Sequence, residues 1–245
     1  MWIQANWPAA THIHAVTTTR VGGFSLAPYD SLNLATHVGD KPELVEKNRH
    51  KLTEALSLPS APIWLHQVHG PAVVEANEGS LDKEADGSHT RSPGVVCAVL
   101  TADCLPVFLC DETGQQVAVL HAGWKGLHAG VIASCIKEFA VSPESIMVWL
   151  GPAIGPKAFE VGKDVYTAFT LIDSGFAECF APCAENKWLA NIYALATRFL
   201  NRSGVTSIHG GRYCTYTEPD NFFSYRRDGQ CGRMASLIWM DANKK

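Results

Sequence analysis

Residues 95–126 read VVCAVLTADCLPVFLCDETGQQVAVLHAGWKG. Three apolar runs in this stretch, 95–100, 107–110 and 116–121, are short and often β-branched, the signature of buried strands. Two of them lead to residues with chemistry: the first runs toward Cys104 and the third ends at His121. A fourth run, 63–68, leads in the same way to His69. Side chains at strand ends are held more firmly than those on free loops, so each of these residues stands where a rigid element stops.

Working outward, the same pattern predicts strands over 14–19, 72–76, 146–150, 206–209 and 234–240. Helices are fewer. Leu127, Val131, Ile132, Cys135, Ile136 and Phe139 recur at helical spacing, which predicts a helix over 124–140 with Lys125, His128 and Lys137 off its apolar stripe. His121 falls just before it. A helix over 41–56 has Pro42 at an early position and Asp40 able to cap, and a third is predicted over 188–200. The strand-rich order, with helices between groups of strands, predicts an α+β fold and a single domain over 1–245.

The chain has 245 residues, 47% of them hydrophobic and 18% charged, the composition of an ordinary globular protein with a substantial core. With 20 basic and 24 acidic residues the formal charge is −4, so composition offers no basic surface for phosphate backbones and nucleic acid is not an expected partner. No basic start followed by an apolar run opens the chain, and no stretch of about 18 apolar residues occurs, so neither export nor a membrane partner is expected and the protein is expected in the cytoplasm. Most of the eight cysteines, Cys97, Cys110 and Cys135 among them, sit inside apolar runs and read as buried free thiols. Cys179 and Cys183, with three residues between them, have the spacing of half a structural zinc site, but no nearby His or Cys pair completes it.

Three strings carry chemistry: Gln67-Val68-His69-Gly70, Thr101-Ala102-Asp103-Cys104 and His121-Ala122-Gly123-Trp124. They supply two imidazoles and a thiol. Zinc takes those donors, and catalytic zinc keeps three protein ligands with a fourth position open. The plain alternative is that each residue is packed in the core, since the three are remote in sequence. His66 lies three residues before His69, a strand spacing that points the two side chains to opposite faces, and it is assigned to packing or the surface.

The three strings, in this order and spacing, resemble the YfiH-like, laccase-domain-containing family, whose members are known as purine nucleoside phosphorylases and were formerly labelled polyphenol oxidases. Further matching segments are Thr19-Arg20 with Gly22-Gly23 and Ser25, residues 29–34 (YDSLNL), 151–156 (GPAIGP), 159–162 (FEVG) and 223–228 (FSYRRD), so the resemblance covers nearly the whole chain. It implies mixed, mostly antiparallel sheets packed as a sandwich with flanking helices. It also implies a metal held by His69, Cys104 and His121, expected to be zinc with copper possible. The implied activity is phosphate-dependent cleavage of purine nucleosides such as adenosine, inosine and methylthioadenosine, with adenosine deamination as a side activity.

Around these positions, Asp103 is a candidate catalytic residue for proton transfer, a support for another ligand, or a turn cap. Cys104 is a candidate for catalysis as well as for ligation. Arg20, in a Gly-rich stretch, and Arg226 are candidates for oxyanion binding, against ordinary surface roles; Asp228 beside Arg227 favours a salt bridge. Asn33, polar between two leucines, is a candidate substrate contact or a turn residue. Three other activities compete. Cys104 and His121 would also serve a metal-independent hydrolase or deamidase as nucleophile and base. A multicopper oxidase needs many imidazoles, and the chain has 10 His with His12-Ile13-His14 as its one HxH pair. A noncatalytic binding protein would keep the ligands without turnover. The oligomeric state is not legible.

Overall fold

The computed structural model describes residues 1–241. One sheet contains β1 (Trp2–Gln4), β2 (Ile13–Thr18), β5 (Cys97–Thr101) and β13 (Met234–Met240), antiparallel throughout in the order β1-β2-β13-β5. A larger sheet contains β3 (Val73–Glu75), β4 (Gly87–Thr90), β6 (Leu105–Asp111), β7 (Val117–Ala122), β8 (Ile146–Leu150) and β12 (Ser207–Gly210). Its order is β12-β8-β6-β7-β4-β3, and only its two outermost pairs are parallel. A small antiparallel sheet, β9 (Glu160–Gly162), β10 (Phe180–Ala184) and β11 (Lys187–Ala190), has the order β10-β11-β9.

The two larger sheets face one another because their strands alternate apolar side chains to both faces. In β6, Phe108 and Cys110 point into the space between the sheets, while Val107 and Leu109 point outward. In β5, Cys97 and Val99 point inward, and Ala98 and Leu100 outward. Each outward face then needs a cover. Leu52 of α1 (Pro42–Leu56) packs against the smaller sheet's outer face. The larger sheet's outer face is covered by α3 (Val131–Lys137), α4 (Lys163–Ile172) and α5 (Ile192–Arg202), through Val131, Phe169 and Leu195 among others. The result is the α+β fold that the order of strands and helices predicts, arranged as the sandwich with flanking helices that the family resemblance implies. No helix among the described residues is long and apolar enough to cross a membrane.

Several expected elements differ in detail. The helix expected over 124–140 is two helices, α2 (Trp124–Ala129) and α3, because Gly130 takes a left-handed conformation (φ 96°) that ends the first. The helix expected from 188 begins at Ile192: residues 187–190 join the small sheet, and the Asn191 side chain accepts from the Ala194 amide as its cap. Asp40 does not cap α1; its carboxylate takes the Ser25 hydroxyl, the Asn33 amide and the Lys41 backbone N–H. The run 63–68 is no strand but touches its neighbours through the isolated bridges Ile63↔Cys97 and His66↔Glu84. Gln67 replaces the missing ladder with its side chain, donating to the Leu100 carbonyl (2.9 Å) and accepting from the Leu100 N–H (2.7 Å).

Candidate metal centre

Strand register brings the key residues together. In the β6/β7 hairpin Leu105 pairs with Ala122 and Pro106 with His121, so Cys104, one residue before β6, arrives beside the end of β7. On the other side of β7, Gly87 of β4 pairs with Leu120, which brings Asp86 alongside His121. Asp86 is fully buried and gathers the third string: it accepts from the backbone N–H of Val68 (3.2 Å), His69 (2.9 Å) and Gly70 (2.6 Å). The same carboxylate accepts from His121 Nδ1 at 2.8 Å.

His69, Cys104 and His121 thus converge, each offering one ligand atom, with all three atoms within 4.8 Å of one another. Zinc bound by such donors has bonds of about 2.0–2.3 Å, so ligand atoms this close are within reach of one shared ion. The imidazole planes of His69 and His121 stand at 73° with centroids 4.6 Å apart. His121 is buried, Cys104 half-buried and His69 exposed, so the cluster opens to solvent on the His69 side. Gly123 is a cradle here: a Cβ at that position would lie 2.9 Å from Cys104 Sγ and 3.3 Å from His69 Cδ2. His69 (φ 61°) and Asp103 (φ 91°) both hold left-handed backbone, a strain of about 1–3 kcal/mol each that the surrounding contacts maintain. The donor set, the cradle and a carboxylate behind His121 all fit a bound divalent ion. Among the described residues this is the one cluster of three or more such ligands. His12 and His14 of the HxH pair bond instead to the Gly114 carbonyl and to Asp241.

The electrostatics of the three groups are coupled. Burial alone raises a thiol, but the neighbouring His121 and then His69 outweigh it and bring Cys104 down to about 6. Burial lowers an imidazole, yet the Cys104 charge and the Asp86 hydrogen bond raise His121 to about 9. Both shifts favour a thiolate beside an imidazolium in metal-free protein, and an incoming metal would displace the imidazolium proton. In metal-free protein, the rate of Cys104 alkylation, followed by peptide mass spectrometry, should rise through a midpoint near pH 6. A midpoint near the ordinary thiol value of about 8.5 contradicts this.

Two cavities meet at the cluster. The first, about 320 Å³, is lined mainly by apolar and aromatic groups, Trp124, Ile154, Phe159, Ile192 and Tyr225, with Lys125 and Arg226 at its edge. The second, about 400 Å³, is lined by His37, Gln67, Thr101, His121 and Arg233. His69, Ala102, Cys104 and Tyr225 belong to both. Tyr225 opens the short helix α6 (Tyr225–Asp228) and is 61% exposed.

Of the residues singled out from sequence, Arg226 lines the first cavity, with its guanidinium 5.7 Å from the Phe159 ring and Nη1 donating to the Glu160 carbonyl. Asp103 also lines it, but both its oxygens are engaged, one by the Thr215 hydroxyl (2.6 Å) and one by the Arg226 N–H (2.7 Å), so it ties α6 to the start of β6. Arg20 and Asn33 line neither cavity. Arg20 is spent on the Asp30 and Pro219 carbonyls and lies over Phe223. Asn33 is fully buried; it donates to Ala35 and Asp40 and accepts from the N–H of Ala35 and Arg233. Its polar groups are therefore used up, and its link to the site is the backbone of Arg233. His66 is exposed beside Glu84. Sequence reading missed Asp86, His37 and Arg233.

The family model described as multi-copper polyphenol oxidoreductase laccase matches residues 14–241. The purine nucleoside phosphorylase YfiH of Escherichia coli is 52% identical over 97% of this chain and 98% of the relative. The purine nucleoside phosphorylase of Haemophilus influenzae is 49% identical over 98% and 99%. A crystal structure of a Neisseria meningitidis protein superposes with a TM-score of 0.95 at 47% identity, covering 98% of this chain and 99% of that one.

Proposed function

Because the chain belongs to the YfiH-like family, described as multi-copper polyphenol oxidoreductase laccase, and gathers two imidazoles and a thiol at one point, we propose that it is a metal-dependent purine nucleoside phosphorylase. One domain carries the activity; of the expected span 1–245, residues 242–245 lie outside the described residues. The observation that carries the reading is the His69, Cys104 and His121 cluster, two of whose members, His69 and Cys104, line an aromatic cavity. The ion we assign is zinc, with copper as the alternative occupant, since copper binds such donors strongly. Bound there, the ion supplies Lewis-acid polarisation of the reacting groups.

The rest falls to the chain's own side chains. Trp124, Phe159 and Tyr225 line the cavity of about 320 Å³, and aromatic faces are what a purine ring stacks on. Asp86 fixes the orientation of His121 and the backbone turn of His69. Asp103 is a positioning residue: it holds α6, and with it Tyr225 and Arg226, against the cavity. Substrates in this reading are adenosine, inosine and methylthioadenosine, with phosphate as the second substrate and deamination of adenosine as a side activity. Metal-loaded protein should release hypoxanthine from inosine only when phosphate is supplied, with sugar phosphate formed in equal amount. Release at the same rate without phosphate would sink the phosphorylase reading. The Cys104 and His121 charge pair favours one second reading, a thiol hydrolase. That activity would survive chelation and be lost to alkylation.

A further inference from the structure

The second cavity differs in kind from the first. Among the described residues no aspartate or glutamate lines it, while His37, His121 and Arg233 do. Thr101 is 1% exposed and lines the cavity, yet its hydroxyl has no hydrogen-bond partner among the described residues. A buried, unpaired hydroxyl at a cavity wall is costly unless a ligand takes it up. The backbone of Arg233 is fixed from the other side, its N–H donating to Asn33 and its carbonyl accepting from Leu34. Its guanidinium is anchored through Nη1 to the Cys231 and Gly232 carbonyls, and no carboxylate pairs with it among the described residues. A fixed guanidinium, an unused hydroxyl and an imidazole are groups that recognise a tetrahedral oxyanion.

We propose that this second cavity, through Arg233, Thr101 and His37, is the site of the phosphate co-substrate, while the purine occupies the aromatic cavity on the other side of Tyr225. The assignment deepens the phosphorylase reading and rests on it. In the reaction so arranged, the bond from ribose C1′ to the purine nitrogen breaks and C1′ bonds to a phosphate oxygen. The hydrogenphosphate proton ends on the departing purine. Tyr225, 5.7 Å from the Arg233 guanidinium and shared by both cavities, stands where the two substrates meet.

The test is calorimetric binding of inorganic phosphate to zinc-loaded protein, beside steady-state kinetics with inosine. Arg233→Met should weaken phosphate binding and raise the phosphate KM by about 10- to 100-fold, the loss that removal of a charge-assisted hydrogen bond produces. Thr101→Val, a near-isosteric change, should weaken phosphate by about tenfold or less and leave inosine binding in the absence of phosphate unchanged. Arg233→Lys should recover part of the loss, which separates charge from folding. Unchanged phosphate binding in both Arg233→Met and Thr101→Val, with phosphorolysis intact, overturns this assignment and spares the phosphorylase reading. Phosphate binding that depends on Arg233 in a protein without phosphorolysis supports the anion pocket and removes that reading. Binding of adenosine 5′-monophosphate through Arg233 with no affinity for free phosphate overturns the co-substrate assignment.

Discussion

Replacing Cys104 by alanine is expected to take away both the metal and the turnover. Wild-type protein should carry close to one equivalent of zinc, and Cys104→Ala essentially none after dialysis. Two imidazoles alone, one of them exposed, do not hold a divalent ion against buffer. Loss of kcat/KM should reach about a thousandfold or more, equivalent to about 4 kcal/mol of transition-state stabilisation. The fold should survive, because Cys104 lies in the turn before β6 and the core strands retain every apolar contact. A variant that keeps full turnover without metal would contradict the account. One that keeps metal but loses turnover to the same extent would favour Cys104 as a nucleophile.

The second large effect is expected at Asp86. Its carboxylate receives three backbone N–H groups and the His121 ring while fully buried. Asparagine has one carbonyl oxygen for these donors, and its NH₂ would face N–H groups of the 68–70 turn. Asp86→Asn should therefore weaken metal binding by about 10- to 100-fold. It should also cost several kcal/mol of stability, at about 1–3 kcal/mol for each donor left unsatisfied. The pH dependence has a definite sign. Burial raises the carboxyl, but the His121 hydrogen bond and the backbone N–H groups outweigh it and hold Asp86 below the ordinary carboxylate value. A group depressed on folding stabilises above its unfolded pKa, about 3.9, and loses that contribution as the pH falls through the lower folded value. The gap in urea-unfolding free energy between wild type and Asp86→Asn should be full at pH 6–7 and shrink below about pH 4. Equal stability within about 0.5 kcal/mol, with unchanged zinc affinity, would show that Asp86 does not hold the site.

The chain's three ligand candidates were legible because each ends an apolar run, and residue chemistry at strand ends is visible one string at a time. The sheets were legible for the same reason: 107–110 and 117–120 are short unbroken apolar runs, as strands with both faces buried require. Features that depend on pairing across long separations were not. Asp86 gains its role from β4 lying against β7 and from N–H groups 16–18 residues earlier in sequence. Nothing in its immediate neighbourhood announces this. Arg233 likewise reaches the second cavity with its backbone N–H held by Asn33, 200 residues away. Asn33 itself drew attention as a polar residue between leucines, which it is, but the polarity serves a buried network rather than a ligand. The strand expected over 63–68 failed for a related reason. Its apolar content is real, but Gln67 and Asp86 satisfy its backbone and its neighbour's by side chains, which no periodicity reveals.

X-ray absorption at the zinc edge of the loaded protein tests the shared ion most directly. The expected spectrum has one sulfur at about 2.3 Å and nitrogen or oxygen neighbours at about 2.0–2.1 Å, with the sulfur shell absent in Cys104→Ala. A wild-type spectrum without sulfur would mean that Cys104 and the two histidines do not hold one metal, and the proposed phosphorylase site would fall with it.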